Sequence, residues 1–374
     1  MKIALISTLT SIYRKDIWSE IGNVSEMFTL ICSSKSFKGI KTFNPKSVEK
    51  IDYFIESKIR YYKNIPIYQN IPKLYRVLRE NEIIILPGEV SLISTWRILL
   101  LSKLFKNKTI IWTHGLYGRE SKIRKWLTIL FYSLADTIWV YNSYAKKLLQ
   151  TELKKKITVV YNSNTLISDN DSMKEDHKYD AILKKIHKDD KIILFFGRID
   201  RKRNLSLLLN CFLKMSKELS NLKLLIIGNL EKDYEQDFLE MIRMKNNVIH
   251  VNGIYDIELL GKIFNRSHVM VYPEGVGLAG LHCMNHGLPV ISHNDSTTQK
   301  PEFEAIKNIS SKLLFEKNDM ISMENVINYV LNMDSSNYSI LRQECENEIK
   351  SRWNVNSQIG IIQKNLKNLI NDNH

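Results

Sequence analysis

The sequence predicts an α/β protein of two Rossmann-like, doubly wound domains. Three observations carry this. Short, near-continuous apolar runs alternate with helical patterns along the chain, as parallel strands buried on both faces do. The alternation breaks once, at a polar, aperiodic stretch over residues 168–180, and then restarts. Residues 271–292 (VYPEGVGLAGLHCMNHGLPVIS) read as strand, Gly-rich turn, helix and strand, the βαβ layout of an open sheet.

In the first half the strand candidates are residues 3–7, 28–32, 83–86, 109–112, 137–141 and 157–160. The opening MKIALISTLTSIYRK superficially resembles a secretion signal. Its apolar segment is short and broken by Ser7, Thr8 and Thr10, so it reads as the first strand. Two helices mix bulky apolar residues with cations: 96–108, and 121–135 with Lys122, Arg124, Lys125 and Trp126 at its start. Such helices rest on an anionic bilayer, or they pack the apolar face on the sheet and leave the cations solvated; both readings stay open. His114 follows a strand directly in Trp112-Thr113-His114-Gly115, at the carboxyl edge where open sheets bind ligands.

The polar stretch is a domain boundary by composition. It contains Asp169-Asn170-Asp171, a D-x-D triplet, but no strand precedes it to present a metal site. Strand 192–196 restarts the alternation and ends in Gly197-Arg198, followed by the basic turn Arg201-Lys202-Arg203-Asn204. Guanidinium groups at a strand-to-helix turn suit a diphosphate. Leu205, Leu208, Leu209, Phe212, Met215 and Leu219 form a helical core stripe. Strands 223–227 (before Gly228), 248–251 and 268–272 follow, with the turn 252–256 between the last two. In the Gly-rich stretch, Glu274 precedes Gly275 and Gly277, and a helix from 278 to about 286 begins there. Its free N-terminal amides suit an anion, and two glycines let the backbone approach it. Gly287 takes the left-handed C-cap position. A last amphipathic helix covers 355–370.

The chain has 374 residues, 44% hydrophobic and 25% charged, enough for two ordinary domains with a sizeable core. The domains expected are 1–166 and 189–354, with a linker over 167–188 and a terminal helix over 355–374. The net charge of +14 is uneven, since residues 1–165 carry +15 and the remainder −1. A basic half implies an anionic partner. No recognition-helix or aromatic RNA-binding motif supports nucleic acid. Cys32, Cys211, Cys283 and Cys345 have no paired spacing, which fits reduced thiols in a cytoplasmic compartment. No apolar run is long enough to span a bilayer. His282 and His286 lie four apart on one helix, but Cys283 stands where a zinc helix has an acid, and Cys283 and His293 make a poor supplement. No metal is expected there.

Several segments together resemble the retaining, nucleotide-sugar-dependent GT-B enzymes of glycosyltransferase family four. Tyr13-Arg14 looks like that family's acceptor loop, and His114-Gly115 like its H-G element. ADTIWVYNSYAKKLL from Ala135 and Val160–Asn162 resemble the end of its first domain. Gly197-Arg198 with Arg203-Asn204 is similar to its G-R-(x)4-K-(G/N) phosphate motif, with Arg203 where Lys is usual. Residues 273–291 resemble its donor signature, and Glu274 matches the first acid of E-x7-E. His282 stands at the second, where the family's Glu grips the ribose diol; an imidazole still hydrogen-bonds a hydroxyl. The chain also resembles a subgroup of polysaccharide-cluster transferases with a G-L-x-x-I-H run followed by P-E-F-E-A-I, here Pro301–Ile306.

The resemblance implies two domains facing across a cleft, with the terminal helix crossing back to the first. It implies transfer of a sugar, with retention, from a nucleotide-diphosphate sugar to a growing glycan. The acceptor it suggests is polyprenyl-diphosphate-linked, at the inner membrane face, in capsule, O-antigen or exopolysaccharide synthesis. Glu274, His114 and Arg198 are the implied catalytic residues. Arg198, Lys202, Arg203, Gly228, Ile254, Tyr255, Glu274, Gly275, Val276, Gly277, Leu278 and His282 would bind the donor, and Tyr13, Arg14, His114 and Gly115 the acceptor. The nucleotide sugar is a substrate, and no metal or cofactor is implied. A nucleotide-sugar epimerase on the same fold, or a non-catalytic partner protein that lost turnover through His282, are the alternatives.

Overall fold

The computed structural model describes residues 1–35, 42–153, 156–163, 182 and 184–371. The chain divides into two compact units, Met1–Thr165 with Asn354–His374, and Leu166–Trp353.

The first unit runs β1 (Lys2–Leu9), α1 (Lys15–Asn23), β2 (Met27–Ser33), β3 (Tyr53–Glu56), the hairpin β4 (Lys58–Tyr62) and β5 (Ile65–Asn70), α2 (Leu74–Glu80), β6 (Ile83–Pro87), α3 (Ile93–Leu104), β7 (Lys108–Thr113), α4 (Lys122–Ser133), β8 (Thr137–Val140), α5 (Ser143–Gln150) and β9 (Lys156–Val159). Seven strands pair in parallel in the order β3-β2-β1-β6-β7-β8-β9. Alternate residues feed opposite faces, as the period of two requires: Ile3, Leu5, Ile83 and Ile85 enter one core, and Ala4, Ile6, Ile84 and Leu86 the other. The strand order reverses between β1 and β6, so the loops after β1, β6 and β7 gather at one switch point.

The second unit runs β10 (Lys191–Phe196), α6 (Leu205–Met215), β11 (Leu222–Ile227), α7 (Glu235–Ile242), β12 (Val248–Val251), α8 (Ile257–Arg266), β13 (Val269–Tyr272), α9 (Leu278–Asn285), β14 (Val290–His293), α10 (Phe303–Ile309), β15 (Leu314–Phe315), α11 (Met320–Leu331) and α12 (Ser335–Arg352). Its six parallel strands lie in the order β12-β11-β10-β13-β14-β15, with the switch between β10 and β13. The terminal helix α13 (Val355–Asn371) packs on the first unit: Ile359, Ile362, Leu366 and Leu369 join the core of its sheet. Asn365 Oδ1 accepts the buried indole N–H of Trp139 at 2.6 Å, so its polar positions are specific as well.

Two readings need correction. The helix expected over 96–108 runs from Ile93 to Leu104 instead. Lys106 takes a left-handed φ of 59°. The buried Asn107 amide donates to the Leu78 and Asn81 carbonyls at 2.7 and 2.6 Å, which turns the chain into β7. Strand β3 and the β4–β5 hairpin were not read from sequence, because their half-exposed, Tyr- and Lys-rich pattern is not an apolar run. The boundary stretch 168–180, with the triplet Asp169-Asn170-Asp171, lies outside the described residues.

Candidate active site

In the second unit, the loops after β10 and β13 meet at the switch in strand order. Crowding dictates the glycines of the turn after Glu274. A Cβ on Gly277 would stand 3.2 Å from Lys300 Cδ, and one on Gly275 3.0 Å from the Thr298 carbonyl oxygen. Helix α9 starts there with no side-chain cap, so its first N–H groups face the crevice without an intrahelical acceptor. Val276 is not available in the same way: its N–H donates to Gln299 Oε1 at 2.9 Å. Gly287 closes the helix with φ of 69°, in the left-handed position the sequence indicated.

Glu274 is half-buried beside this turn. Burial pushes its carboxyl up, Lys317, a hydrogen bond from Asn204 and Arg203 draw it back, and Asp295 adds a further push. His293 Nε2 lies 4.0 Å from Glu274 Oε2. His293 is fully buried, and its Nδ1 accepts the Asp295 N–H at 3.2 Å, which puts its proton on Nε2, toward Glu274. Burial, then Lys317, lower its pKa to about 4 against the opposing Asp295, so the ring is neutral near pH 7.

Arg198 follows Gly197 at the end of β10 and makes an exposed ion pair with Glu231 at 3.3 Å. Arg203 is more enclosed. It meets Asp200 at 3.5 Å and lies over the Tyr272 ring at 5.9 Å. Arg201 is engaged by Asp237 and the Asp233 carbonyl on the α7 side. Lys202 is exposed, with its backbone N–H capped by Asp200 at 2.8 Å. Gly228 has a packing reason: a Cβ there would stand 1.8 Å from the Gly197 carbonyl oxygen. Asn229 holds the next turn, accepting the Gly253 N–H at 2.8 Å and donating to the Tyr255 hydroxyl at 3.0 Å, while Ile254 is buried.

His282 sits on α9 with a buried Nδ1 that has no hydrogen-bond partner among the described residues. Burial, and then His286, lower its pKa to about 3, so it is neutral at pH 7. The His286 ring rests against α8, 5.5 Å from the Phe264 ring centre. Among the described residues, no group of three or more His, Cys, Asp or Glu is placed to hold a metal ion.

In the first unit, a cavity of about 960 Å³ opens at the carboxyl edge of the sheet. Tyr13, Arg14, Glu89, Trp112, His114 and Tyr141 line it. The Arg14 guanidinium lies 4.9 Å from the Trp112 ring centre, 5.1 Å from Tyr141 and 5.7 Å from Tyr13, and it donates to the Tyr141 hydroxyl. Glu89 opens to solvent through the cavity yet is ringed by protein. That crowding raises its carboxyl pKa, and its own backbone N–H and the Arg14 charge oppose it. The His114 ring stands 4.8 Å from Tyr141. Gly115 has φ of 74°, and a Cβ on it would meet the Ala145 methyl at 3.0 Å. Beside the cavity, α4 turns Ile123, Trp126, Leu127 and Leu130 outward at i, i+3, i+4 and i+7, with Ile123 74% and Trp126 63% exposed. The sheet side of that helix is instead Thr128, Phe131 and Tyr132.

Residues 180–352 match the family model described as glycosyl transferases group 1. That match covers nearly all of the second unit. The chain is 26% identical over 323 residues to the uncharacterized glycosyltransferase MJ1059 of Methanocaldococcus jannaschii, covering 80% of this chain and 77% of that protein. It is 25% identical over 236 residues to the capsular polysaccharide biosynthesis glycosyltransferase CapM of Staphylococcus aureus, covering 60% of each. Among solved structures, Anabaena Alr3699/HepE in complex with UDP and glucose superposes with a TM-score of 0.68 at 12% identity, over 98% of this chain and 100% of that one. The fold is that of the GT-B class.

In the second unit, the structure brings to the loops at this sheet edge residues the sequence did not single out there: Gln299, Lys300, His293 and Asn229. Each lies in a polar loop or at a strand end, where no periodicity marks it. In the first unit, Glu89 follows β6 just as His114 follows β7, so the strand-end rule that found His114 extends to it.

Proposed function

We propose that this chain is a retaining, metal-independent glycosyltransferase that moves a sugar from a nucleotide-diphosphate sugar to a glycan acceptor. The observation that carries this reading is the meeting of Arg198, Arg203, Glu274 and the uncapped start of α9 at one sheet edge of a group 1 glycosyl transferase domain. The bond from the sugar's anomeric carbon to the β-phosphate oxygen breaks, and its electron pair stays on that oxygen. The acceptor hydroxyl oxygen bonds to the same face of the carbon, and its proton passes to the leaving phosphate. Arg198, Arg203, Lys202 and the α9 amides offset the charge that develops on the diphosphate. Glu274 orients the sugar hydroxyls. The nucleotide base meets Ile254 and Tyr255 beside Gly228, and the neutral His282 meets the ribose.

The first-unit cavity takes the acceptor, with Tyr13, Trp112 and Tyr141 offering ring faces to a sugar and His114-Gly115 at the strand end. We further read the acceptor as polyprenyl-diphosphate-linked, at the inner face of the cell membrane. The outward apolar stripe of α4, its Lys122 and Arg124, and the charge of +15 on residues 1–165 support this. The description of CapM supports surface polysaccharide synthesis as the setting. No helix among the described residues is long and apolar enough to cross a membrane. The test is a thermal-shift screen of UDP, GDP, ADP and dTDP and their sugars, followed by transfer of labelled sugar to a lipid-linked acceptor with and without EDTA. A raised melting temperature and EDTA-insensitive transfer are expected. Absence of any nucleotide shift overturns the reading, and conversion of the nucleotide sugar without an acceptor identifies an epimerase instead.

A further inference from the structure

The loop between β14 and α10 does more than connect two elements. Gln299 is buried, and it ties the loop to the Gly-rich turn through the Val276 N–H at 2.9 Å. Its amide also donates to Ser292 Oγ and the His293 carbonyl, both at 2.8 Å. On the other side, the Lys300 carbonyl accepts the Phe303 N–H at 3.1 Å, and Pro301 limits the backbone between them. The backbone of Lys300 is therefore held from both directions.

From this anchor the Lys300 side chain runs across the turn. Its Nζ stands 3.3 Å, and its Cδ 3.2 Å, from where a Cβ on Gly277 would be. The ammonium thus lies against the first residues of α9, whose N–H groups have no side-chain cap. Among the described residues it has no ion pair or hydrogen bond of its own. Its two cationic neighbours are already occupied, Arg198 by Glu231 at 3.3 Å and Arg203 by Asp200 at 3.5 Å. Lys300 is thus the cation left over at an uncapped helix start beside Arg198 and Arg203, a local deficit of negative charge. A loosely bound counterion satisfies that deficit poorly, whereas a diphosphate brings several oxygens at once.

We propose that Lys300 is a third phosphate-binding cation of the donor site, contacting the diphosphate of the nucleotide sugar directly. This rests on the reading of the second unit as a nucleotide-sugar site. Lys300 is suited to the task because an ammonium is a compact charge with three rotatable donors, which follows a phosphate oxygen as charge builds during bond cleavage. Arg198 and Arg203, with planar forks, fix orientation instead. Loss of solvation around the ammonium and the nearby Arg203 and Arg198 charges lower its pKa, with Glu302 and Asp200 opposing. An arriving diphosphate offsets that repulsion between cations.

The experiment is calorimetric binding of UDP, GDP, ADP and dTDP, of the matching nucleosides, and of inorganic pyrophosphate, to wild type, Lys300→Met and Lys300→Arg. Lys300 has exposed surface away from the turn, and its side chain makes no hydrogen bond or ion pair among the described residues, so the fold tolerates both changes. We expect Lys300→Met to weaken the best-bound diphosphate and pyrophosphate by at least about tenfold, the scale of one charge-assisted hydrogen bond, with nucleoside affinity unchanged. Lys300→Arg restores most of the loss. Equal affinity of wild type and Lys300→Met for diphosphates overturns the proposal, as does an equal loss for nucleoside and diphosphate, which marks a structural role. Failure of wild type to bind any of the four diphosphates instead overturns the donor-site reading itself, and Lys300 with it.

Discussion

His293 Nε2 stands 4.0 Å from Glu274 Oε2, with no other partner for its proton among the described residues. The Asp295 N–H fixes the ring tautomer from behind, at 3.2 Å. The pair is a fixed donor beside a half-buried carboxylate, one small contraction from a hydrogen bond. Burial pushes the Glu274 carboxyl up, and closure of this gap to hydrogen-bond distance would favour its ionised form.

Glu274→Gln removes the carboxylate charge and turns one of its two acceptor oxygens into a donor, so the sugar hydroxyls lose their charged acceptor and transfer falls by about 100-fold or more. The acid limb of kcat/KM carries the same message. Because the Glu274 pKa is raised, the ionised form is lost as pH falls sooner than for an ordinary glutamate, near 4.3. Lys317→Met removes the largest opposing cation and moves the limb to still higher pH. A limb that stays put or moves down in that variant removes Glu274 from the step it reports.

Arg198→Ala leaves the fold intact, since its one ion pair among the described residues is an exposed one with Glu231. Donor turnover falls by roughly 10- to 100-fold. Circular dichroism checks the fold and steady-state kinetics the rate. Wild-type kinetics would sink the phosphate assignment.

Gln299→Ala leaves the Val276 N–H, Ser292 Oγ and the His293 carbonyl without this partner, in a buried site. A loss of roughly 3 kcal/mol of stability is expected from groups left unsatisfied. The donor KM rises as well, because the Gly-rich turn is no longer held in register with α9. Denaturant titration and donor saturation curves measure the two effects. Stability loss with an unchanged KM makes Gln299 a packing residue only.

His268 gives the fold a pH dependence. Its Nδ1 accepts the Ile192 N–H at 3.0 Å, a bond that only the unprotonated nitrogen makes. Burial, and then Arg266, Lys191 and Arg342, lower its pKa to about 4, below the unfolded value near 6.5. The unfolded chain therefore binds the extra proton first as pH falls. Stability is full above about 6.5 and declines toward about 4, by at most about 1.4 kcal/mol per pH unit for this one group. His268→Asn retains an acceptor for Ile192 but does not titrate, so its melting temperature falls less between pH 7 and 5. An identical slope in the variant assigns the acid sensitivity to other groups.

Much of the framework was legible because burial on both faces writes strands as apolar runs. The runs at 3–7, 83–86, 192–196 and 223–227 all became sheet strands. Gly287 was legible for a local reason, since a left-handed C-cap selects glycine. The β4–β5 hairpin was not, because its exposed Tyr and Lys residues obey no apolar pattern. The outward direction of the α4 stripe was equally hidden. Periodicity reveals that a helix has an apolar face, not what that face meets.

By itself the sequence determined the alternating architecture, the βα turns that carry Arg198, His114 and Glu274, and the uneven charge, because each is written in local pattern and composition. Only the tertiary structure decided which polar side chains reach those turns. Gln299 claims the Val276 amide, Lys300 lies over Gly277, and His293 faces Glu274, across 23, 23 and 19 residues of chain. Such contacts depend on strand order and loop path. Parallel strands whose order reverses bring together loops distant in sequence, and nothing local in those loops encodes their meeting.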